Sequence, residues 1–271
     1  SYAGDYLGVY VFMEKIKRDD DRVDIESLSP TDNSEPEITG GYIWKIDPPD
    51  PGDVGFTTSR GHPTHVEPTA TTVNCYVYPK EVNLTPQQES WILNHFEEFE
   101  DALYGPNFAD PFLGYAAYFD VDSFIDHYWL NELTKNPDAF RLSAYMFKKR
   151  GEKIQAGPIW DFDRTMGCAD DDRAENPEGW YTFTNYDWWG RLAEDLEFEQ
   201  KRIDRWHRLR EDVFSVAGMH AVVDSMAAEL TEAQARNFEK WPDTAPQFGG
   251  YQGEIDHLKQ WLADRVAWID S

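Results

Sequence analysis

The chain has 271 residues, of which 41% are apolar and 15% aromatic, including 11 Trp, a composition that supports a packed globular protein and excludes a disordered one. Its 51 acidic and 25 basic residues leave a formal charge of −26, which repels phosphate backbones and anionic lipid surfaces and argues against a nucleic-acid partner. A bound polyphosphate would need local cations, so any nucleotide site is expected to use a divalent metal, although a merely solvated acidic surface gives the same composition. No run of about 18 apolar residues occurs, which excludes a membrane-spanning helix. Cys75 and Cys168 form neither a CxxC nor a Cys/His cluster; no zinc site is readable, and one bridge is the most they can make.

In chain order, "SYAGDYLGVYVFMEKI" begins without an initiating Met or signal peptide, in what reads as the middle of a strand pair, so the chain is expected to be a piece of a longer protein. Alternation predicts a hairpin strand over Tyr6 to Ile16. Residues 27–60 carry Pro- and Asp-rich loops around a short strand, "GGYIWKID". "CYVYPKEVNL" is a further strand, leading to Thr85-Pro86, a helix start with Pro at the first position. Trp91, Ile92, His95, Phe96, Phe99 and Leu103 then recur at helical steps, as do Phe124, Ile125, Tyr128, Trp129 and Leu133, up to Asn136-Pro137.

"AFRLSAYMFKKRGEKIQAG" predicts a strand, a turn at Arg150-Gly151-Glu152 and a second strand. Helices are expected near 188–213, 218–240 and 251–269. The fold class is therefore α+β, with a boundary near residue 84 between a β-rich part, 1–84, and a mainly helical part, 85–271, that carries the hairpin.

The chemistry-bearing candidates cluster at that hairpin. Asp161 and Asp163, in "GPIWDFDRTMG", lie two apart, so on an extended backbone both carboxylates share a side and repel unless a cation or a proton lies between them. Such a pair serves as an Mg²⁺ or Ca²⁺ ligand set, or as loop-capping aspartates bonded to backbone amides. Asp138 follows Pro137 one hairpin earlier, 23 residues before Asp161, which puts both carboxylates at the same end of the hairpin. That topology resembles the catalytic loop and metal-binding Asp of protein kinases. Arg141, Lys148 and Lys149 on the hairpin could offer positive potential to phosphates, or be ordinary surface residues. "RGHPTHVEP" offers His62, His65 and Glu67 as a loop metal site or as solvated loop residues. "DFDRTMGCADDD" is not an EF-hand loop, since its Gly falls at the seventh position and no Glu closes it. "WYTFTNYDWWG" suits sugar stacking or core packing.

Three stretches, "GDYLGVYVFMEKIKRDDDRVDI", "FIDHYWLNELTKNPDAFRLSAYMFKKRGEKIQAGPIWDFD" and "EAQARNFEKWP", together resemble the spore-coat protein H (CotH) kinase-like family, from about Tyr2 to the end of the chain. The resemblance implies an atypical protein-kinase-like fold, with a partial β-rich N-terminal lobe and a mainly helical C-terminal lobe. It also implies ATP with Mg²⁺, Mn²⁺ or Ca²⁺, a protein substrate with Ser-rich segments, and an extracellular, cell-surface or spore-surface location. On it, Asp138 matches the catalytic Asp, Asp161 the metal-binding Asp and Asp163 a supporting ligand. Glu14 matches an acidic position that orients a phosphate-binding cation, and Lys15 is a candidate phosphate contact. Some family members carry Asn as a second metal ligand where this chain has Ser143, and "GDYLGVY" is not a GxGxxG phosphate loop. Two other functions remain open on the residues: a kinase-like module without catalysis that binds surfaces or polysaccharides, and a glycosidase carboxylate pair, which the resemblance disfavours.

Overall fold

The segment Tyr42–Asp47 is buried at Tyr42, Ile43, Trp44 and Ile46, so its successive side chains are covered on both faces of the sheet it centres. The computed structural model describes residues 6–60, 73–138, 140–168, 173–181 and 187–271. The His62, His65 and Glu67 candidate and most of the aromatic stretch after Tyr181 lie outside them. The described residues fall into two compact units: those within Ile16–Asp163 and Trp180–Arg205, and those within Ser1–Lys15, Arg164–Gly179 and Trp206–Ser271.

In the first of these, strands β1 (Tyr42–Asp47), β2 (Gly55–Phe56), β3 (Val73–Tyr78), β4 (Ala144–Lys148) and β5 (Ile154–Ala156) form an antiparallel sheet in the order β2-β3-β1-β4-β5. The alternation along β1 turns Tyr42 and Trp44 toward helix α1 (Pro86–Tyr104), where Trp44 meets Phe96 edge-on at 5.1 Å and Tyr42 stacks on Trp91 at 5.9 Å. Ile43 points the other way, into a second cluster with Val23, Ile25 and Tyr145, against which Trp160 packs. By the same alternation Lys45 and Asp47 share the face of Ile43, and Tyr145 and Cys75 are Lys45's register partners.

Helix α1 begins as its sequence predicts: Pro86 occupies the first turn, and Thr85 and Gln88 form a reciprocal capping box. Helix α2 (Val121–Thr134) is capped by Asp120 and ends at Lys135, whose φ of 50° closes the helix in the left-handed conformation. Aromatic packing joins these helices to α3 (Asp187–Leu192): Phe124 of α2 meets Trp189 at 5.8 Å, and Phe99 of α1 meets Trp188 at 5.3 Å. Helix α4 (Leu196–Arg210) follows.

The other unit contains α5 (Val216–Leu230), α6 (Ala233–Lys240) and α7 (Tyr251–Ile269). The loop before it is pinned to α7, because Trp261 donates to the carbonyls of Ala174 and Glu175 and the wholly buried Arg265 donates to those of Pro177 and Gly179 at 2.7 Å each. Among the described residues no helix is long and apolar enough to cross a membrane, and no disulfide joins Cys75 to Cys168.

One expected element is absent. Tyr6 to Ile16 does not form a strand; among the described residues the segment has no ladder partner, and Val11 and Phe12 are exposed at 85% and 102%. A strand exists by pairing, and among the described residues no neighbour offers this segment a ladder; the first bridge comes later, between Arg18 and Val23. Leu142 likewise lies outside β4, because Ser143, at φ 51°, interrupts the alternation before Ala144.

Candidate active site

The antiparallel pairing of β4 with β5 brings the segment entering the hairpin beside the segment leaving it. Trp160 anchors the exit by meeting the Tyr145 ring edge-on at 6.0 Å. The next residue, Asp161, takes φ 65°, and the chain turns from Asp163 onward. The extended geometry expected for Asp161 and Asp163 is therefore not what unites them. A left-handed residue followed by a turn still brings the two carboxyls within hydrogen-bonding reach of each other.

Ser143 Oγ donates to Asp161 Oδ2 at 3.3 Å. Asp161 is raised above the usual carboxylate range, first by the partial burial of its carboxyl and then by its bond to and repulsion from Asp163, with Asp138 adding to the repulsion and Ser143 opposing it. A carboxyl pair in this state meets around a proton or around a cation. Two carboxylates and a hydroxyl are a hard-oxygen donor set, which suits Mg²⁺, Mn²⁺ or Ca²⁺. Among the described residues no group of three or more His, Cys, Asp or Glu side chains is placed to hold a metal ion.

Asp138 is held by its own loop. Its backbone N–H donates to Asn136 Oδ1 at 3.1 Å, its carbonyl accepts from the N–H of Leu142 at 3.0 Å, and its carboxylate pairs with Arg141 Nη2 at 2.9 Å. Behind it, buried Asn136 donates through Nδ2 to Asn131 Oδ1 at 3.0 Å, and Asn131 donates to the carbonyl of His127 at 2.9 Å. The Tyr181 hydroxyl donates to the carbonyl of Pro137. Helix α2 thus continues as a side-chain ladder that sets the position of Asp138. Phe140, also left-handed at φ 68°, is buried against Tyr128 and Trp189. Three non-glycine residues near this site, at 140, 143 and 161, therefore occupy a conformation that is ordinarily disfavoured.

The structure brings Asp138, Arg141, Ser143, Asp161 and Asp163 together at one end of the hairpin. Glu14 and Lys15 belong to the other unit, on the exposed segment before residue 16. Lys148 points away from the carboxylates; it is buried over the Trp91 ring, and burial pushes its ammonium down to about 8. Sequence reasoning missed Asn131 and Asn136, which read as ordinary helix-end residues, and a second charged group on β1. Lys45 Nζ there lies 3.5, 3.3 and 3.1 Å from carboxylate oxygens of Asp47, Asp50 and Asp53. Asp47 also accepts the backbone N–H of Ser143. The available signal was a lysine set among apolar residues in the strand "YIWKID", two positions before an aspartate.

An antiparallel sheet with helices between and after its strands, and within it a hairpin that presents carboxylates at one end, makes this an α+β protein with a kinase-like arrangement. The chain belongs to the CotH kinase protein family, whose model matches residues 2–269. Comparison with curated proteins gave no match.

Proposed function

We propose that the chain is an ATP-dependent protein kinase that transfers the γ-phosphoryl group to serine hydroxyls of a protein acceptor. The observation that carries this reading is the facing pair Asp161 and Asp163, with Asp138 in electrostatic reach at the same end of one hairpin. A divalent cation held by Asp161 and Asp163, with Ser143 beside them, would neutralise charge on the phosphate oxygens. Asp138, fixed by Asn136 and Arg141, accepts the proton of the acceptor hydroxyl as the serine oxygen bonds to the γ-phosphorus. The bond from that phosphorus to the β-phosphate oxygen breaks, and ADP leaves. Arg141, paired with the Asp138 carboxylate at 2.9 Å, orients it for that task and adds positive potential beside an otherwise acidic cluster. The roles of Glu14 and Lys15 toward the nucleotide rest on family resemblance alone. The same family membership supports a protein acceptor and a surface or spore-coat location, and Ser-rich segments in that acceptor belong to this proposal.

The test is incorporation of label from γ-³²P-ATP into a Ser-rich protein acceptor with Mg²⁺, Mn²⁺ or Ca²⁺. Asp138→Ala and Asp161→Ala should each abolish transfer while the chain remains folded by circular dichroism. A wild-type chain that binds ATP and metal but transfers no label would refute the enzyme reading and favour a binding module without catalysis.

A further inference from the structure

An acidic chain that handles a polyphosphate needs a cation close to its carboxylates, and outside the Asp138 loop the structure supplies one. Lys45 lies at the centre of the sheet, on β1, with its side chain only 12% exposed. Three carboxylates surround its ammonium within 3.5 Å, and one of them, Asp50, is itself 78% exposed. One buried ammonium needs one or two such partners to offset its desolvation; a third, solvent-facing acceptor adds little stability. Lys45 is thus over-supplied with acceptors that a stronger anion can replace.

Its position also connects it to the hairpin carboxylates. Asp47, which pairs with Lys45, accepts the N–H of Ser143, and the hydroxyl of Ser143 donates to Asp161. Tyr145, directly opposite Lys45 in the β1–β4 register, is raised by burial first; Lys45 opposes that shift, and Asp47, Asp53 and Asp161 add to it, so its hydroxyl lies in electrostatic reach of both groups. Lys45, Asp47 and Tyr145 share the sheet face that α1 leaves uncovered.

We propose that Lys45 is the cation that receives the nucleotide's phosphate groups, held in waiting by Asp50 and Asp53 and kept in register with Asp161 by Asp47 through Ser143. The proposal rests on the kinase reading above, and it assigns to β1 a contact that the sequence suggested for Lys15. Phosphate oxygens displace Asp50 and Asp53 from the ammonium, while Asp47 stays on the Ser143 backbone. The aspartates therefore act against nucleotide binding in the free protein, and removing their charge strengthens it.

The test is equilibrium titration of the full chain with Mg²⁺-ATP, Mg²⁺-ADP and adenosine, a readout independent of turnover. Lys45→Gln should weaken both phosphorylated ligands about tenfold or more and leave adenosine unchanged, as expected for loss of one charge-assisted contact. Lys45→Arg should retain most of the affinity. The double variant Asp50→Asn/Asp53→Asn keeps Lys45 and should tighten Mg²⁺-ATP several-fold, which carries the test if Lys45→Gln does not fold. Wild-type affinity for Mg²⁺-ATP in a folded Lys45→Gln chain, or in the double aspartate variant, would overturn the assignment of Lys45 and leave the kinase reading standing. A wild-type chain that binds no nucleotide at all would overturn both.

Discussion

Replacing Asn136 by Ala tests whether the ladder behind Asp138 sets its position. The side chain is 3% exposed, donates to Asn131 Oδ1 at 3.0 Å and accepts the Asp138 N–H at 3.1 Å. Each bond contributes about 1 kcal/mol net, and truncation also strands its buried partners at about 1–3 kcal/mol apiece, so a loss of roughly 2–4 kcal/mol is expected. With a urea slope of about 2 kcal/mol/M, the unfolding midpoint should fall by about 1–2 M. The functional effect should exceed the thermodynamic one. Freed from Asn136, Asp138 loses its fixed approach, and a displacement of about 1 Å at a proton acceptor costs on the order of 100-fold in turnover. Urea denaturation followed by fluorescence, paired with the label-transfer rate measured where the variant is fully folded, separates the two. A variant that loses the expected stability yet transfers label at the wild-type rate would refute the positioning argument; one with unchanged stability would refute the hydrogen-bond accounting.

Asp161→Asn should stabilise the metal-free chain at neutral pH, because the raised Asp161 carboxyl opposes folding wherever it is ionised. The advantage should shrink as pH falls through that raised value, and Mg²⁺ should raise the melting temperature of the wild type but not of the variant. His127, buried at 7% exposure, is pushed down to about 4 by desolvation, so the unfolded chain binds the extra proton between about pH 6.5 and 4. Stability is therefore complete above pH 6.5 and falls by up to about 3 kcal/mol toward pH 4 from this residue. His127→Phe should flatten that part of the stability profile; an unaltered acid slope would show that His127 does not titrate as a buried neutral group. Gln88→Ala removes bonds to the carbonyls of Ser29 and Asp32 and half of the capping box, and should cost about 2–4 kcal/mol in chemical denaturation with no change in nucleotide affinity.

The helices were legible because their evidence is local: a Thr-Pro start, an apolar step of three or four, a stop at Asn-Pro. The hairpin was legible too, and with it the meeting of Asp138 and Asp161, since antiparallel pairing fixes which ends coincide. Tyr6 to Ile16 was not, because alternation states only which side of a strand would be buried, not whether a partner exists. The tie from Lys45 through Asp47 and Ser143 to Asp161 was equally hidden, because it depends on β1 lying beside β4, a neighbourhood between residues almost 100 positions apart. Asn131 and Asn136 escaped notice for a related reason: their role lies in bonding to each other and to a backbone amide, and no residue pattern announces that.

The left-handed backbone at Ser143 bears on how easily this site can change. Asparagine enters that conformation more readily than other residues with a side chain, so the position already has the shape an Asn needs. A single Ser143→Asn exchange would place an amide oxygen where the hydroxyl now meets Asp161, with no rebuilding of the hairpin. Exchange between hydroxyl and amide oxygen at this position is thus a change of donor atom on an unchanged template, one substitution deep in either direction.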